Sequence, residues 1–113
     1  MNSLSTHILN QATGRPAGGV PVTLLRLNAE GRRVLATGMT DGDGRVRDFL
    51  PGSGGLAGGT YALHFDTASY FQTQKVKGFY PYVEVVFELD PDGGHTHVPL
   101  LLSPYGFSTY RGS

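Results

Sequence analysis

The run His95-Thr96-His97-Val98-Pro99-Leu100-Leu101-Leu102-Ser103-Pro104-Tyr105-Gly106-Phe107-Ser108-Thr109-Tyr110-Arg111-Gly112-Ser113 decides the fold. It reads as an apolar strand, a Ser-Pro-Tyr-Gly turn and a polar returning strand, because Pro and Gly mark where a chain reverses. A chain end usually loses order unless something ties it down, and pairing with its own hairpin partner would do so here. The tail gathers Ser108, Tyr110, Arg111 and Ser113, so the ending is a candidate part of a site. His95 and His97 are two apart, which on a strand puts both rings on one face.

Outward from this hairpin the pattern stays β. Residues 4–10 alternate, with Leu4, Thr6 and Ile8 on one face and Ser5, His7 and Leu9 on the other. Thr13-Gly14-Arg15-Pro16 reads as a turn. Strands follow over 20–27 and 33–40, then a short one begins at Arg45 after the Asp41-Gly42-Asp43-Gly44 turn. Residues 50–59, with two Gly pairs and no periodicity, read as a loop. Further strands are expected over 61–65 and 82–89, and Asp90-Pro91-Asp92-Gly93-Gly94 turns the chain into the closing hairpin. One helix is expected over 68–75, capped by Thr67 and ended before Gly78, with Tyr70, Phe71 and Gln74 on the side that meets the sheet. Seven or eight short strands with one short helix make an all-β sandwich, a single domain over 1–113.

With 113 residues the chain can build one core, and 17 Gly and 7 Pro favour turns over long helices. Nine basic and nine acidic residues cancel without a Lys/Arg run, so neither nucleic acid nor a membrane surface is an expected partner. No stretch approaches the ~20 apolar residues of a membrane helix, and no export signal is visible. The expected compartment is the cytoplasm, or the periplasm if a leader has been removed. The absence of cysteine excludes disulfides, thiolate catalysis and zinc-thiolate sites.

Two metal readings arise from the residues. The carboxylates at 41–44 fail the calcium-loop pattern, which requires further oxygen ligands and a distal Glu. The His95-x-His97 pair has a metal-ligand spacing, but a hydrolytic zinc requires a third ligand, for which His7 and His64 are the spare histidines. The plainer alternatives are a strand histidine at 97 satisfied by the backbone, and solvated arginines at 45 and 111.

Three separated blocks carry a resemblance: Thr6-His7-Ile8-Leu9-Asn10, Thr40-Asp41-Gly42-Asp43-Gly44-Arg45, and His97-Val98-Pro99-Leu100-Leu101-Leu102-Ser103-Pro104-Tyr105-Gly106 with the closing Tyr110-Arg111-Gly112-Ser113. Together they resemble the 5-hydroxyisourate hydrolases, the enzymatic branch of the transthyretin-like (prealbumin-like) family. The resemblance implies a homotetramer of sandwich subunits, with dimers formed through edge strands and sites where two dimers face each other. It implies no metal and no cofactor, and 5-hydroxyisourate as the small-molecule substrate. His7, Arg45 and His97 match the family's histidines and arginine. Thr96 departs from it, standing where many relatives carry an aromatic residue; on a strand it faces away from His97.

These residue types suit the opening of a cyclic amide. A neutral imidazole takes a proton from water and returns it to the departing nitrogen, a role open to His97 or His7. A guanidinium at Arg45 presents a fork of donors to a flat polar ring and stabilises charge on the carbonyl oxygen. Tyr110 and Ser113 would orient substrate or water, and Arg111 would hold the terminus in place; His95 is a neighbour with no assigned role. The alternative is a non-catalytic transthyretin-like carrier, which does not require His7, Arg45 and His97 together.

Overall fold

In the computed structural model, residues 2–49 and 55–112 are described. They form two sheets face to face. The first contains β1 (Ser3–Asn10), β2 (Arg15–Pro16), β5 (Arg45–Val46), β8 (His95–Ser103) and β9 (Gly106–Thr109). The second contains β3 (Pro21–Asn28), β4 (Gly31–Met39), β6 (Gly59–Phe65) and β7 (Val83–Leu89), in the order β4-β3-β6-β7. The expected all-β sandwich with one short helix is what forms.

Alternation along the strands builds the core. Leu4, Thr6 and Ile8 of β1 and Val98, Leu100 and Leu102 of β8 are buried, as are Val22, Leu24, Leu63 and Phe65 from the opposing sheet. Removing such aliphatic side chains from water contributes about 1.5–3 kcal/mol each. Thr6 is polar, but its hydroxyl donates to the Val98 carbonyl at 2.6 Å, so its burial leaves that hydroxyl paired. Thr96, buried on this same face of β8, does turn away from His97.

The pairing that matters most for the site joins distant parts of the chain. β1 runs parallel to β8, setting Ser3 opposite His95, Ser5 opposite His97 and His7 opposite Pro99. On its other edge β1 receives β5, antiparallel, with His7 opposite Arg45. Farther along that edge it receives β2, where Pro16 sits opposite Leu9. The expected turn over 13–16 therefore ends in a two-residue strand, tolerated because Pro16 lies on the edge of the sheet.

The helix differs from expectation at both ends. α1 spans Thr67–Thr73, and its cap is Asp66, whose carboxylate accepts from the Ser69 N–H at 3.1 Å. Asp at this position is the stronger cap because its ionised oxygen meets an orphan donor of the first turn. Thr67 instead lies buried, its hydroxyl donating to the Tyr80 carbonyl at 2.7 Å. Lys75, with φ 58°, ends the helix before Gly78 is reached. Tyr70 and Phe71 pack inward as expected, whereas Gln74 is exposed.

Candidate active site

The outer face of the first sheet, opposite the core, carries the side chains that the sequence singled out. Along β1 it presents Ser3, Ser5 and His7; along β8 it presents His95 and His97; Arg45 joins from β5 beside His7. Ser5, Thr6, Arg45, Arg47, His95 and His97 line a cleft of about 300 Å³. None of the six is acidic.

Arg45 is placed by turn chemistry. The Asp41 carboxylate accepts from the Asp43 N–H at 2.9 Å and from the Arg45 N–H at 3.0 Å, closing an Asx-type turn. These bonds, that from Arg45 foremost, hold the Asp41 carboxyl below its usual range. Gly44 is required there: its φ is 75°, and a Cβ would lie 2.5 Å from the Ile8 carbonyl oxygen. The acidic turn thus braces the arginine. Arg47, by contrast, is drawn to Asp41 and Asp43, at 3.8 and 3.3 Å.

Both family-matched histidines are biased toward the neutral form. Partial burial pushes the His97 ring below its ordinary value, and Arg45, His7 and His95 add to that in turn. Burial and then Arg45 do the same to His7, against a smaller opposing effect of its hydrogen bond to the Asp43 backbone. A neutral imidazole beside a guanidinium keeps a lone pair to accept a proton, and the guanidinium keeps its donors for an oxygen of substrate.

Serines bind His95 and His97. Ser5 Oγ lies 2.7 Å from His97 Nδ1 and 2.8 Å from His95 Nε2, and Ser3 Oγ lies 2.6 Å from His95 Nδ1. The sequence placed Ser5 on the face of His7 but assigned it no role; the parallel register that brings it to His97 spans more than ninety residues and left no local signal.

The closing tail is also anchored at the cleft. Gly112 N–H donates to the His97 carbonyl at 2.7 Å, and a Cβ on Gly112 would lie 2.7 Å from His97 Cδ2, so this position passes too close to the ring for a side chain. Tyr110 and Arg111 are not among the residues lining the histidine cleft. They line a second cavity, of about 250 Å³, with β7 residues such as Val85 and Phe87. Ser113 lies outside the described residues. His64, a spare third ligand in the zinc reading, sits on β6 of the opposite sheet with Nδ1 2.8 Å from Glu84 Oε2, and so cannot join His95 and His97.

Comparison with known proteins gives a consistent result. A family model described as the HIUase/Transthyretin family matches residues 4–112. A 5-hydroxyisourate hydrolase of Salmonella dublin is 47% identical over 112 residues, covering 99% of this chain and 82% of its own length. Among solved structures, 5-hydroxyisourate hydrolase of Klebsiella pneumoniae superposes with a TM-score of 0.87 at 37% identity, covering 100% of this chain and 94% of that one. Sea bream transthyretin in complex with thyroxine does so with a TM-score of 0.88 at 33% identity, over 96% and 93% of the two chains.

Proposed function

The chain belongs to the HIUase/transthyretin family, and on that footing we propose that it is a 5-hydroxyisourate hydrolase whose cleft on the outer face of the first sheet opens the six-membered ring of the substrate. The product is 2-oxo-4-hydroxy-4-carboxy-5-ureidoimidazoline. The observation that carries this reading is the neutral-biased His97 sharing a polar cleft with the Arg45 guanidinium, with the neutral-biased His7 opposite Arg45 in the strand register. A carrier and a hydrolase share the backbone, as the nearly equal TM-scores of the two solved structures illustrate, so the side chains must discriminate. A binding channel for an aromatic ligand has no need of a proton acceptor beside a cation.

In the proposed mechanism His97 accepts a proton from water as the water oxygen attacks the ring carbonyl carbon. Arg45 neutralises the negative charge that grows on the carbonyl oxygen, the larger share of the rate gain in such a step. The amide C–N bond then breaks, and His97 returns its proton to the departing nitrogen, leaving an N–H and a carboxylic acid that ionises by releasing its proton to solvent. His7, beside Arg45, binds the ring edge and helps keep His97 neutral. Tyr110, Arg111 and Ser113 belong to the proposal as groups that shape the cleft in the assembled protein. No metal or cofactor has a part in it.

The assembly proposed is a homotetramer, a dimer of dimers with sites where the dimers face each other. Its support is the presence of edge strands at β7 and β9 and of exposed large apolar side chains, among them Phe79, Val86, Tyr105 and Phe107. Light scattering on the purified protein tests it: a monomer at micromolar concentration would refute the tetramer.

The decisive assay generates 5-hydroxyisourate from urate with uricase and follows its ultraviolet decay with and without the protein, chelator present throughout. Decay faster than the spontaneous rate, proportional to protein and indifferent to chelator, is the expected outcome. An unchanged decay with folded protein would overturn the enzyme reading in favour of the carrier, and loss of activity to chelator would overturn the metal-free mechanism.

A further inference from the structure

Ser5 occupies an unusual position between two imidazoles. Its Oγ is within 2.8 Å of a nitrogen on each, yet a hydroxyl has a single proton to donate. Where Ser5 donates to His95 Nε2, it accepts from His97 Nδ1–H, and His97 Nε2 is bare. Where Ser5 donates to His97 Nδ1, the proton of His97 is on Nε2, and Ser5 accepts from His95 Nε2–H. The tautomers of the two rings are thereby linked: both carry the proton on Nδ1, or both on Nε2. At the outer end Ser3 Oγ meets His95 Nδ1, where it accepts in the first arrangement and donates in the second. Ser5 is buried, whereas His95 is exposed, so the row of four groups leads from the cleft wall to solvent.

We propose, resting on the hydrolase reading above, that Ser3, His95, Ser5 and His97 form a proton relay in which Ser5 and His95 switch His97 between base and acid. As His97 Nε2 takes a proton from the attacking water, Nδ1 releases its own to Ser5 Oγ. Ser5 passes its hydroxyl proton to His95 Nε2, His95 passes Nδ1–H to Ser3, and Ser3 releases one to solvent. When the C–N bond breaks and Nε2–H moves to the leaving nitrogen, the same row runs backward and takes one proton from solvent. Every group ends as it began, and each proton gained at one end is matched by one lost at the other.

The relay answers a difficulty set by Arg45. A base that becomes an imidazolium next to a guanidinium is disfavoured by like charge, Arg47 lines the same cleft, and none of the described residues lining it carries a carboxylate. A row that exports a proton while importing one leaves His97 neutral throughout. Ser5 and His95 are thus positioning residues acting through His97.

The test combines a spectroscopic and a kinetic reading. In protein labelled with ¹⁵N-histidine, long-range ¹H–¹⁵N correlations at pH 7–8 should give His95 and His97 the same tautomer or the same averaged ratio, and Ser5→Ala should separate them. Turnover plotted against the D₂O fraction should bow, as several protons move together, and become straight in Ser5→Ala and His95→Ala. Each of these variants should lose at least ~10-fold in kcat with KM little changed, and Ser5→Thr should recover most of it. Opposite tautomers in the wild-type protein, a straight isotope plot, or a Ser5→Ala variant with wild-type kcat would each overturn the relay. Failure of the hydrolase reading itself is distinguishable, because it would appear as no acceleration by wild-type protein while the tautomers could still be read.

Discussion

The outer faces of the two sheets each hold a histidine in a hydrogen bond, and the partners make them different instruments. On the second sheet His64 Nδ1–H donates to the Glu84 carboxylate at 2.8 Å, the ring stacks on Tyr82 with centroids 4.7 Å apart, and Glu84 is shared with Arg32. Arg32 and then His64 hold the Glu84 carboxyl below its usual range. On the first sheet His97 has a hydroxyl partner and a cationic neighbour instead. The carboxylate ties the His64 ring in place as its acceptor; burial and then Arg45 favour the neutral His97 ring, which keeps a nitrogen for chemistry. The same residue type on similar strands is thus made structural or reactive by what stands across from it.

Substitution should break this contrast most sharply at Arg45 and His97. Arg45→Ala and His97→Ala are each expected to lower turnover by at least ~10²-fold while leaving the melting temperature nearly unchanged. Full activity in either purified variant removes that residue from the mechanism. Gly112→Ala tests the tail from the other side, since its Cβ would lie 2.7 Å from His97 Cδ2 and the ring or the tail must give way. A roughly tenfold loss of kcat with a stability change of about 1 kcal/mol is expected, and a variant with normal kinetics would show that the tail does not restrain the ring.

Acid sharpens the comparison further. The folded values of His7 and His97 lie below the unfolded value of 6.5, so between the two the unfolded chain binds more protons. Stability therefore rises with pH across that window and is lost as pH falls through the folded values. The carboxyl of Glu84 behaves with the same sign in a lower window, beneath its reference of 4.5. Melting temperature against pH should show two separate acid steps, of which His97→Ala weakens only the upper. The acid limb of kcat/KM should likewise fall below 6.5, and should move upward in the residual activity of Arg45→Ala. A limb at or above 6.5 in the wild-type protein would argue against a histidine depressed by burial and its cationic neighbour.

The smallest effect belongs to the second sheet. His64→Ala and Glu84→Gln should leave turnover within about twofold and cost no more than ~1 kcal/mol, as exposed ion pairs usually do. A large kinetic effect there would erase the distinction between the two faces.

Much of this was legible in the residues. The period-two alternation of β1, β6, β7 and β8 fixed which side chains face the core, and the turn at 41–44 announced where Arg45 begins its strand. What escaped was long-range or decided between near neighbours. Nothing local tells Ser5 that it will lie opposite His97, because parallel pairing between β1 and β8 is a property of the whole topology. Asp66 and Thr67 are both acceptable caps, and the choice fell to the residue whose competitor was needed inside, where Thr67 bonds to Tyr80. The crowding of functional groups drew attention to the tail, but the bond to His97 comes from the backbone of Gly112, while Tyr110 and Arg111 line the neighbouring cavity.

The parallel β1·β8 register also has a consequence for biosynthesis. Ser5 leaves the ribosome 92 residues before the histidine it contacts, a delay of between about 5 and 20 s at ordinary translation speeds. Throughout that time the nascent β1 lacks its long partner, and its buried stripe of Leu4, Thr6 and Ile8 has only early-made segments to lean on. The reactive face cannot exist in a half-made chain, so truncated products would carry the hydrophobic hazard of this strand without any of its chemistry.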